Sequence, residues 1–257
     1  MMRPKAKYAY LDHDGVLAFA HRGGDRVAPE NTLAAFQDAV DSGYTYLETD
    51  VHASADGVVY AFHDDDLQRM VGEPVAISKL TAKQIDALRV AGGHAIPRMA
   101  DLFEAFPKAK FNIDAKAWPV VDPLCDLVQQ TQTHDRICIG SFSDARIKKV
   151  LRQIGDVCHS FGPFAAVRFR LAALSRAKLS FAQGAGQLPI RQFGVPMVTK
   201  ASVDYAHKCG LQVHVWTINT ESTMHELLDM GVDGVMTDDC ALLKKVLLSR
   251  NLWGAAH

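Results

Sequence analysis

Val16-Leu17-Ala18-Phe19-Ala20-His21-Arg22-Gly23-Gly24 decides how the rest of the chain is read. Five apolar residues in a row are a short buried strand. An imidazole and a guanidinium leave its end side by side, and both are anion-binding groups. The two glycines let the backbone turn tightly and come close to a ligand. Pro29-Glu30-Asn31-Thr32 then opens an amphipathic helix with Leu33, Phe36 and Val40 on one face. A strand, a tight turn carrying charged side chains and a helix make up one β-loop-α unit.

The same unit recurs down the chain. Tyr46 to Ala53 is a second strand, and Asp56-Gly57 turns it back into the hairpin arm Val58 to Phe62, which ends at His63. Residues 64–97, broken by Gly72, Pro74, Gly92, Gly93 and Pro97, read as an insertion over one face, with one helix-like piece around Ala82 to Leu88. The alternation then resumes. Met99, Leu102, Phe103 and Phe106 stripe a helix, followed by the strand Lys110 to Lys116. Val121, Leu124, Cys125 and Val128 stripe the next helix, before the strand Ile137 to Phe142. Ile147, Val150, Leu151 and Ile154 stripe another, before the strand Val157 to Phe161. Pro163 to Ala177 is helix-like and carries Arg168, Arg170, Arg176 and, just beyond, Lys178; a solvated face fits it better than a basic lipid-facing one. An irregular strand lies between Phe181 and Ile190. Helix 199–209, strand 211–217, helix 222–230, strand 232–237 and helix 241–249 complete the chain. With the hairpin arm set aside there are eight strands. Eight βα units in this length suit a single (β/α)8 barrel domain, and a doubly wound open sheet fits the alternation too.

Composition bounds the function. The 257 residues carry a net charge of −1, with 48% hydrophobic and 22% charged residues. That argues against a general nucleic-acid binder, which shows a basic face. An anionic substrate must then be held by local cations. No apolar run approaches the roughly 20 residues of a membrane span, and Met1-Met2-Arg3-Pro4-Lys5 leads into no secretory core. Cys125, Cys138, Cys158, Cys209 and Cys240 form no Cys-x-x-Cys pair and are expected as free thiols. These features point to a cytoplasmic protein; the oligomeric state is not legible.

In a barrel of this kind the reactive groups lie at the C-terminal strand ends. His21, Glu48, Asp50, Asp114 and Lys116 all fall there. Side chains two apart on a strand share a face, so Glu48 points with Asp50 and Asp114 with Lys116. Carboxylates in a barrel mouth are costly unless paired or metal-bound. A salt-bridge network with Arg22 and Lys116 is one resolution. Those two cations offset only two of three negative charges, however, and three carboxylates repel an anionic substrate. A hard divalent cation, Mg²⁺ or Ca²⁺, suits an all-oxygen set better than zinc does.

The stretches "AHRGG", "PENTLAAF", "YLETDVHAS", "FHDD" and "NIDAK", with "LQVHVWTINT" and "GVDGVMTDD" near the C-terminus, resemble the glycerophosphodiester phosphodiesterase family over nearly the whole chain. The resemblance implies a (β/α)8 TIM barrel with a small insertion after the second strand and its hairpin. It also implies metal-dependent hydrolysis of a small-molecule glycerophosphodiester to sn-glycerol 3-phosphate and an alcohol. By the same resemblance His21 and His63 are the acid–base pair, and Glu48, Asp50 and Asp114 are the metal ligands. The family more often has Glu where Asp114 stands, and the shorter side chain would hold a cation farther off or through water. Arg22 and Lys116 suit the non-bridging phosphate oxygens. Trp216, on the face of His214, matches a pocket-lining aromatic, with a packed core Trp as the other reading.

Rival readings carry their own residues. Asp12-His13-Asp14-Gly15 resembles the nucleophile motif of haloacid-dehalogenase-type phosphatases, with Asp238-Asp239 as an echo, but that motif needs a long strand before Asp12. A lysophospholipase D-like activity fits the same fold, with 64–97 and 163–190 shaping the pocket. A non-catalytic phosphate-binding relative would be expected to have lost a histidine or a carboxylate, and this chain keeps them all. Glu30 and Asn31 are expected to cap the first helix and brace Arg22. His52 is expected behind the site or on the surface rather than as a metal ligand. His94, His134, His159, His207 and His225 are expected on the surface or in packing.

Overall fold

The computed structural model describes residues 4–254. Barrel strands are β1 (Leu17–His21), β2 (Tyr46–Ala53), β3 (Lys110–Ala115), β4 (Ile137–Gly140), β5 (Cys158–His159), β6 (Ala185–Pro189), β7 (Gln212–Trp216) and β8 (Gly234–Thr237). They pair in parallel in the order β5-β4-β3-β2-β1-β8-β7-β6. Between the two ends of that order, Gly184 N–H donates to the His159 carbonyl at 3.4 Å and nearly closes the ring. The fold is therefore a barrel and not a doubly wound open sheet. One helix follows each strand: α1 (Leu33–Asp41), α2 (Met99–Ala105), α3 (Val121–Thr131), α4 (Asp144–Ile154), α5 (Pro163–Ser175), α6 (Lys200–Lys208), α7 (Glu221–Met230) and α8 (Cys240–Ser249).

Period-two alternation splits each strand between two cores. Leu17, Phe19 and Tyr46 point into the barrel and pack with Cys138, Cys158 and Met236. Ala18, Ala20, Leu47 and Val51 point outward, into the layer beneath the helices. Each fully buried Leu or Phe contributes roughly 2–3 kcal/mol of apolar burial. Tyr10 and Leu11, on a turn of 3-10 helix, close the N-terminal mouth of the barrel. Lys110, the first residue of β3, donates there to the carbonyls of Ala9, Tyr10 and Asp12 at 2.9–3.1 Å. Asp12 therefore lies at the end of the barrel opposite His21. The phosphatase-like reading fails on that placement.

Several local expectations are corrected. The buried face of α1 is Ala35, Phe36 and Ala39, while Leu33 faces outward. The cap of α1 is Thr32, whose hydroxyl accepts from Ala35 N–H at 3.2 Å, rather than Glu30 or Asn31. Gly23 is also required by packing. Its φ is +83°, and a Cβ there would lie 2.9 Å from the backbone of Ala35 and Phe36. The strands expected over 137–142 and 157–161 are shorter, ending at Gly140 and His159. The five cysteines are free, as expected.

The insertion builds a small core of its own. Tyr60 and Phe62, from the hairpin arm that pairs with the end of β2, pack with Leu67, Ile77, Ile85 and Ile96. This anchors residues 64–97 beside the C-terminal end of β2, and through Asp64 and Arg69 it reaches the site.

Candidate active site

Strand register assembles the site. His21 pairs across the sheet with Glu48, Glu48 with Asn112, and Asp50 with Asp114. Parallel in-register neighbours on one face stack their side chains, so these groups form two adjoining layers inside the C-terminal mouth. A cleft of about 610 Å³ opens there, bordered by His21, Arg22, Glu48, Asp50, His63 and Asp114. Lys116 and Trp216 line it as well. All eight residues singled out for chemistry therefore face one space.

Each histidine is held by a carboxylate at Nδ1. His21 Nδ1 lies 2.5 Å from Asp238 Oδ1, and His63 Nδ1 lies 2.6 Å from Asp64 Oδ1. An ionised carboxylate only accepts, so Nδ1 carries the hydrogen in both rings and Nε2 is left to face the cleft. His21 Nε2 lies 3.7 Å from Glu48 Oε2. Burial pulls the His21 pKa down, but the charge of Glu48 and the Asp238 hydrogen bond outweigh it and leave it raised. Burial opposes ionisation of Asp64, yet hydrogen bonds from Arg69 and His63 bring it down to about 2. Behind His63, the buried His52 Nε2 lies 3.3 Å from the His63 carbonyl, which is the supporting position expected for it.

Cations and anions alternate between the two histidines. Arg69 holds Asp64 through Nε at 2.6 Å and reaches Glu30 at 2.6 Å. Glu30 holds Arg22 at 3.1 Å, and Arg22 Nε lies 2.9 Å from Asp50 Oδ2. Lys116 Nζ is 3.3 Å from Asp50 and 3.5 Å from Asp114. The salt-bridge network anticipated as an alternative to a metal is thus present, and it is incomplete. Asp50 Oδ2 and Arg22 Nε approach without hydrogen-bond alignment, and Asp114 Oδ1 makes no hydrogen bond. Burial, with Asp50 and Asp114 nearby, pushes Glu48 up to about 8 against the opposing pull of His21 and Arg22. Burial and Asp50 likewise raise Asp114.

Among the described residues no group of three His, Cys, Asp or Glu side chains is arranged to hold a metal ion as it stands. The donor chemistry nevertheless fits one. Unsatisfied buried carboxylate oxygens and mutually raised acids are what a hard cation would relieve.

Sequence reasoning missed Asp238 and Asn219. Asn219 Nδ2 donates to Asp238 Oδ2 at 2.6 Å, and its Oδ1 accepts from the Asp238 N–H at 2.9 Å. Their signal lay in "TINT" and "MTDD", each just past the end of a barrel strand, where polar residues are reactive or positioning groups.

Beyond the polar end the cleft is apolar. Trp216 meets Phe142 edge-on at 5.9 Å, and Lys116 lies over the Phe142 ring at 5.7 Å. Trp216 is therefore a wall of the cleft and not a core residue. Phe161, Leu171, Leu174, Phe193 and Met197 continue that wall away from the histidines.

Residues 21–242 match the glycerophosphoryl diester phosphodiesterase family. A Mycobacterium tuberculosis protein named "Probable glycerophosphodiester phosphodiesterase 2" is 37% identical over 254 residues, covering 96% of each chain. A lysophospholipase D of Rattus norvegicus is 29% identical over 273 residues, covering 89% of this chain and 85% of its own. An Oleispira antarctica phosphodiesterase, solved in complex with the product sn-glycerol-3-phosphate, superposes with a TM-score of 0.78 at 22% identity, over 94% of this chain and 99% of its own, which bears on the fold alone. With its family match running from the first catalytic-end histidine into the last helix, the chain belongs to the glycerophosphoryl diester phosphodiesterase family.

Proposed function

We propose that the protein hydrolyses glycerophosphodiesters to sn-glycerol 3-phosphate and an alcohol. The observation that carries this is the pairing of two imidazoles, each oriented by its own carboxylate, across a cleft rimmed by Arg22, Lys116 and three acids. Opening a phosphodiester takes a proton from the nucleophile and gives one to the leaving alkoxide. Two imidazoles with Nε2 facing the cleft suit those two tasks. Family membership supports the same reading.

Glu48, Asp50 and Asp114 would hold a divalent cation, Mg²⁺ or Ca²⁺. When bound, it supplies positive charge to polarise the phosphoryl oxygens. Arg22 and Lys116, now drawn onto Asp50 and Asp114, are the side chains within reach to meet the remaining phosphate charge. Asp238 and Asp64 keep His21 and His63 in one tautomer and orientation. Trp216 and Phe142 form the wall where the polar end of the cleft passes into its apolar part.

The apolar wall favours a second substrate class within the same chemistry. Glycerophosphocholine and its relatives have no use for Leu171, Phe193 or Met197, whereas a lysophospholipid would lay its acyl chain there, and a lysophospholipase D is among the similar proteins. Turnover of a panel of glycerophosphodiesters and lysophospholipids, each assayed with Mg²⁺, with Ca²⁺ and with chelator, tests both readings. No release of alcohol or of glycerol phosphate from any member of the panel counts against them.

A further inference from the structure

The face outside the mouth of the cleft has a chemistry that hydrolysis of a soluble diester does not need. Helix α5 carries two apolar stripes on opposite sides. Ala165, Phe169 and Ala172 are buried against the barrel layer. Phe164, Val167, Leu171 and Leu174, at 3-4-3 spacing, form a second stripe that is 73%, 56%, 61% and 63% exposed. A helix with apolar stripes on two opposite sides is normally enclosed on both. This one is enclosed on one side only.

The neighbouring hairpin repeats the pattern. Residues 191–196 turn back on themselves with Phe193 and Gly194 at the tip, both at positive φ (48° and 78°). Such a tip favours Asn, Asp or Gly at both positions. The chain instead places an aromatic ring there, 96% exposed. Arg170 Nε donates to the Pro196 carbonyl at 2.6 Å and ties the hairpin to α5, so the two apolar surfaces form one ridge.

The charge on this segment has one sign. No Asp or Glu occurs between Asp156 and Asp204, while Arg168, Arg170, Arg176, Lys178, Arg191 and Lys200 all fall in that interval. The chain as a whole carries −1, so the positive charge here is a local asymmetry. Arg168 and Arg170 flank the exposed stripe of α5 on either side; Arg170 is held by the hairpin, and the exposed Arg168 can reach lipid headgroups while the apolar residues beside it enter the acyl boundary.

We propose that α5 and the 191–196 hairpin dock the protein on an anionic phospholipid bilayer, with the cleft opening onto the lipid surface. Three observations select this occupant. The ridge is apolar, with Arg168 beside the α5 stripe and Arg191 at the base of the hairpin, which complements a negatively charged interface. It is continuous with the substrate cleft, whose wall includes Val167, Leu171, Leu174, Phe193 and Val195. A symmetric pairing of two copies through this face would set its positive charges against themselves and cover the cleft mouth. The contact is peripheral, since no helix among the described residues is long and apolar enough to cross a membrane. The docking surface deepens the phosphodiesterase reading by giving the apolar cleft a lipid source, and its test does not depend on turnover.

The full chain is mixed with phosphatidylcholine vesicles that are either pure or contain about one-third phosphatidylglycerol, and the bound fraction is read by flotation at low and high salt. The protein floats with the anionic vesicles, weakly with the neutral ones, and less at high salt. Phe164→Ser and the pair Lys178→Glu/Arg191→Glu each lower anionic-vesicle partitioning by about tenfold or more. None of these three residues lines the cleft, so turnover of glycerophosphocholine without vesicles stays within about twofold, and unchanged thermal unfolding shows that the variants fold. Failure to float, or variants that partition like the parent, overturns the proposal. So does a dimer in sedimentation velocity that Phe164→Ser dissociates, because a second copy is then the occupant. Vesicle binding without hydrolysis of any diester leaves the docking surface standing and sinks the phosphodiesterase reading alone.

Discussion

His21 Nδ1 and Asp238 Oδ1 are 2.5 Å apart although 217 positions separate the two residues in the chain. The contact joins the end of the first barrel strand to the end of the eighth, which are neighbours because the barrel brings β8 back beside β1. Asp238 is itself fixed by Asn219, past the end of β7. The orientation of His21 therefore depends on three strand ends, and a fault in any of them reaches the imidazole.

Asp238→Asn keeps the size of the side chain but removes the charge that favours imidazolium. Burial lowers the His21 pKa, and Glu48 and Asp238 raise it above its ordinary value; without the Asp238 charge it falls. Whichever limb of the pH–rate profile His21 governs therefore moves to lower pH. Turnover drops about 10- to 100-fold with little change in KM, as for a residue that positions a catalytic group. An unmoved profile would show that Asp238 only packs there.

His21→Ala and His63→Ala each cost about 10²-fold or more in kcat, as for a lost general acid or base. The parent pH–rate profile is bell-shaped, as for a reaction that needs one acid and one base. Near-parental turnover in either variant makes that histidine structural.

The barrel was legible because strand and helix periods alternate eight times, and those periods are set by local geometry. Glu48 and Asp50, or Asp114 and Lys116, could be placed together because two-residue spacing on a strand fixes a common face. Asp238 was not legible in the same way. Its partner lies on a strand that is adjacent only once the ring closes, and the Asp238-Asp239 pair pointed instead toward a phosphatase echo with Asp12, which lies at the opposite mouth. The exposed face of α5 was legible only in part. Arg168 and Arg170 suggested a charged face, but burial of the Phe169 side leaves Phe164 and Leu171 exposed between them.

Metal binding should stabilise the fold more at higher pH. Burial and neighbouring acids raise Glu48 from 4.5 to about 8. Between those values the folded protein keeps a proton that the unfolded chain has lost, so stability of the metal-free protein falls as pH rises through the window. A cation at Glu48, Asp50 and Asp114 takes over the role of that proton. Melting temperatures with chelator and with Mg²⁺ or Ca²⁺ should diverge more at pH 8 than at pH 5.5, and chelation should abolish turnover. An equal metal effect at both values, or full activity after exhaustive chelation, removes the three acids as a metal site.

Leu171→Ser, in the apolar wall, separates the two substrate classes. Loss of a buried apolar contact to an acyl chain costs about 1–3 kcal/mol, roughly ten- to two-hundredfold. The fall in kcat/KM for lysophosphatidylcholine should exceed that for glycerophosphocholine by at least about tenfold. Equal losses for both substrates mean that the wall holds no acyl chain.

The remaining choice is the nucleophile. A glycerophosphodiester carries its own, the glycerol 2-hydroxyl, close to phosphorus. Intramolecular attack gains the large effective molarity of a pre-placed group. In that route one imidazole accepts the 2-hydroxyl proton as the new P–O bond forms, and the other protonates the leaving alkoxide as the bond to the alcohol breaks. Water then opens the cyclic 1,2-phosphate with the two proton roles exchanged. His21 and His63 enter from different segments, each with Nε2 toward the cleft, an arrangement suited to that exchange. Direct attack by water needs the same two groups and no 2-hydroxyl. A substrate with hydrogen in place of that hydroxyl should be almost inert, and ³¹P NMR of the normal reaction should show the cyclic phosphate before glycerol phosphate. Comparable turnover of the deoxy analogue at unchanged KM, with no cyclic species, assigns the attack to water instead.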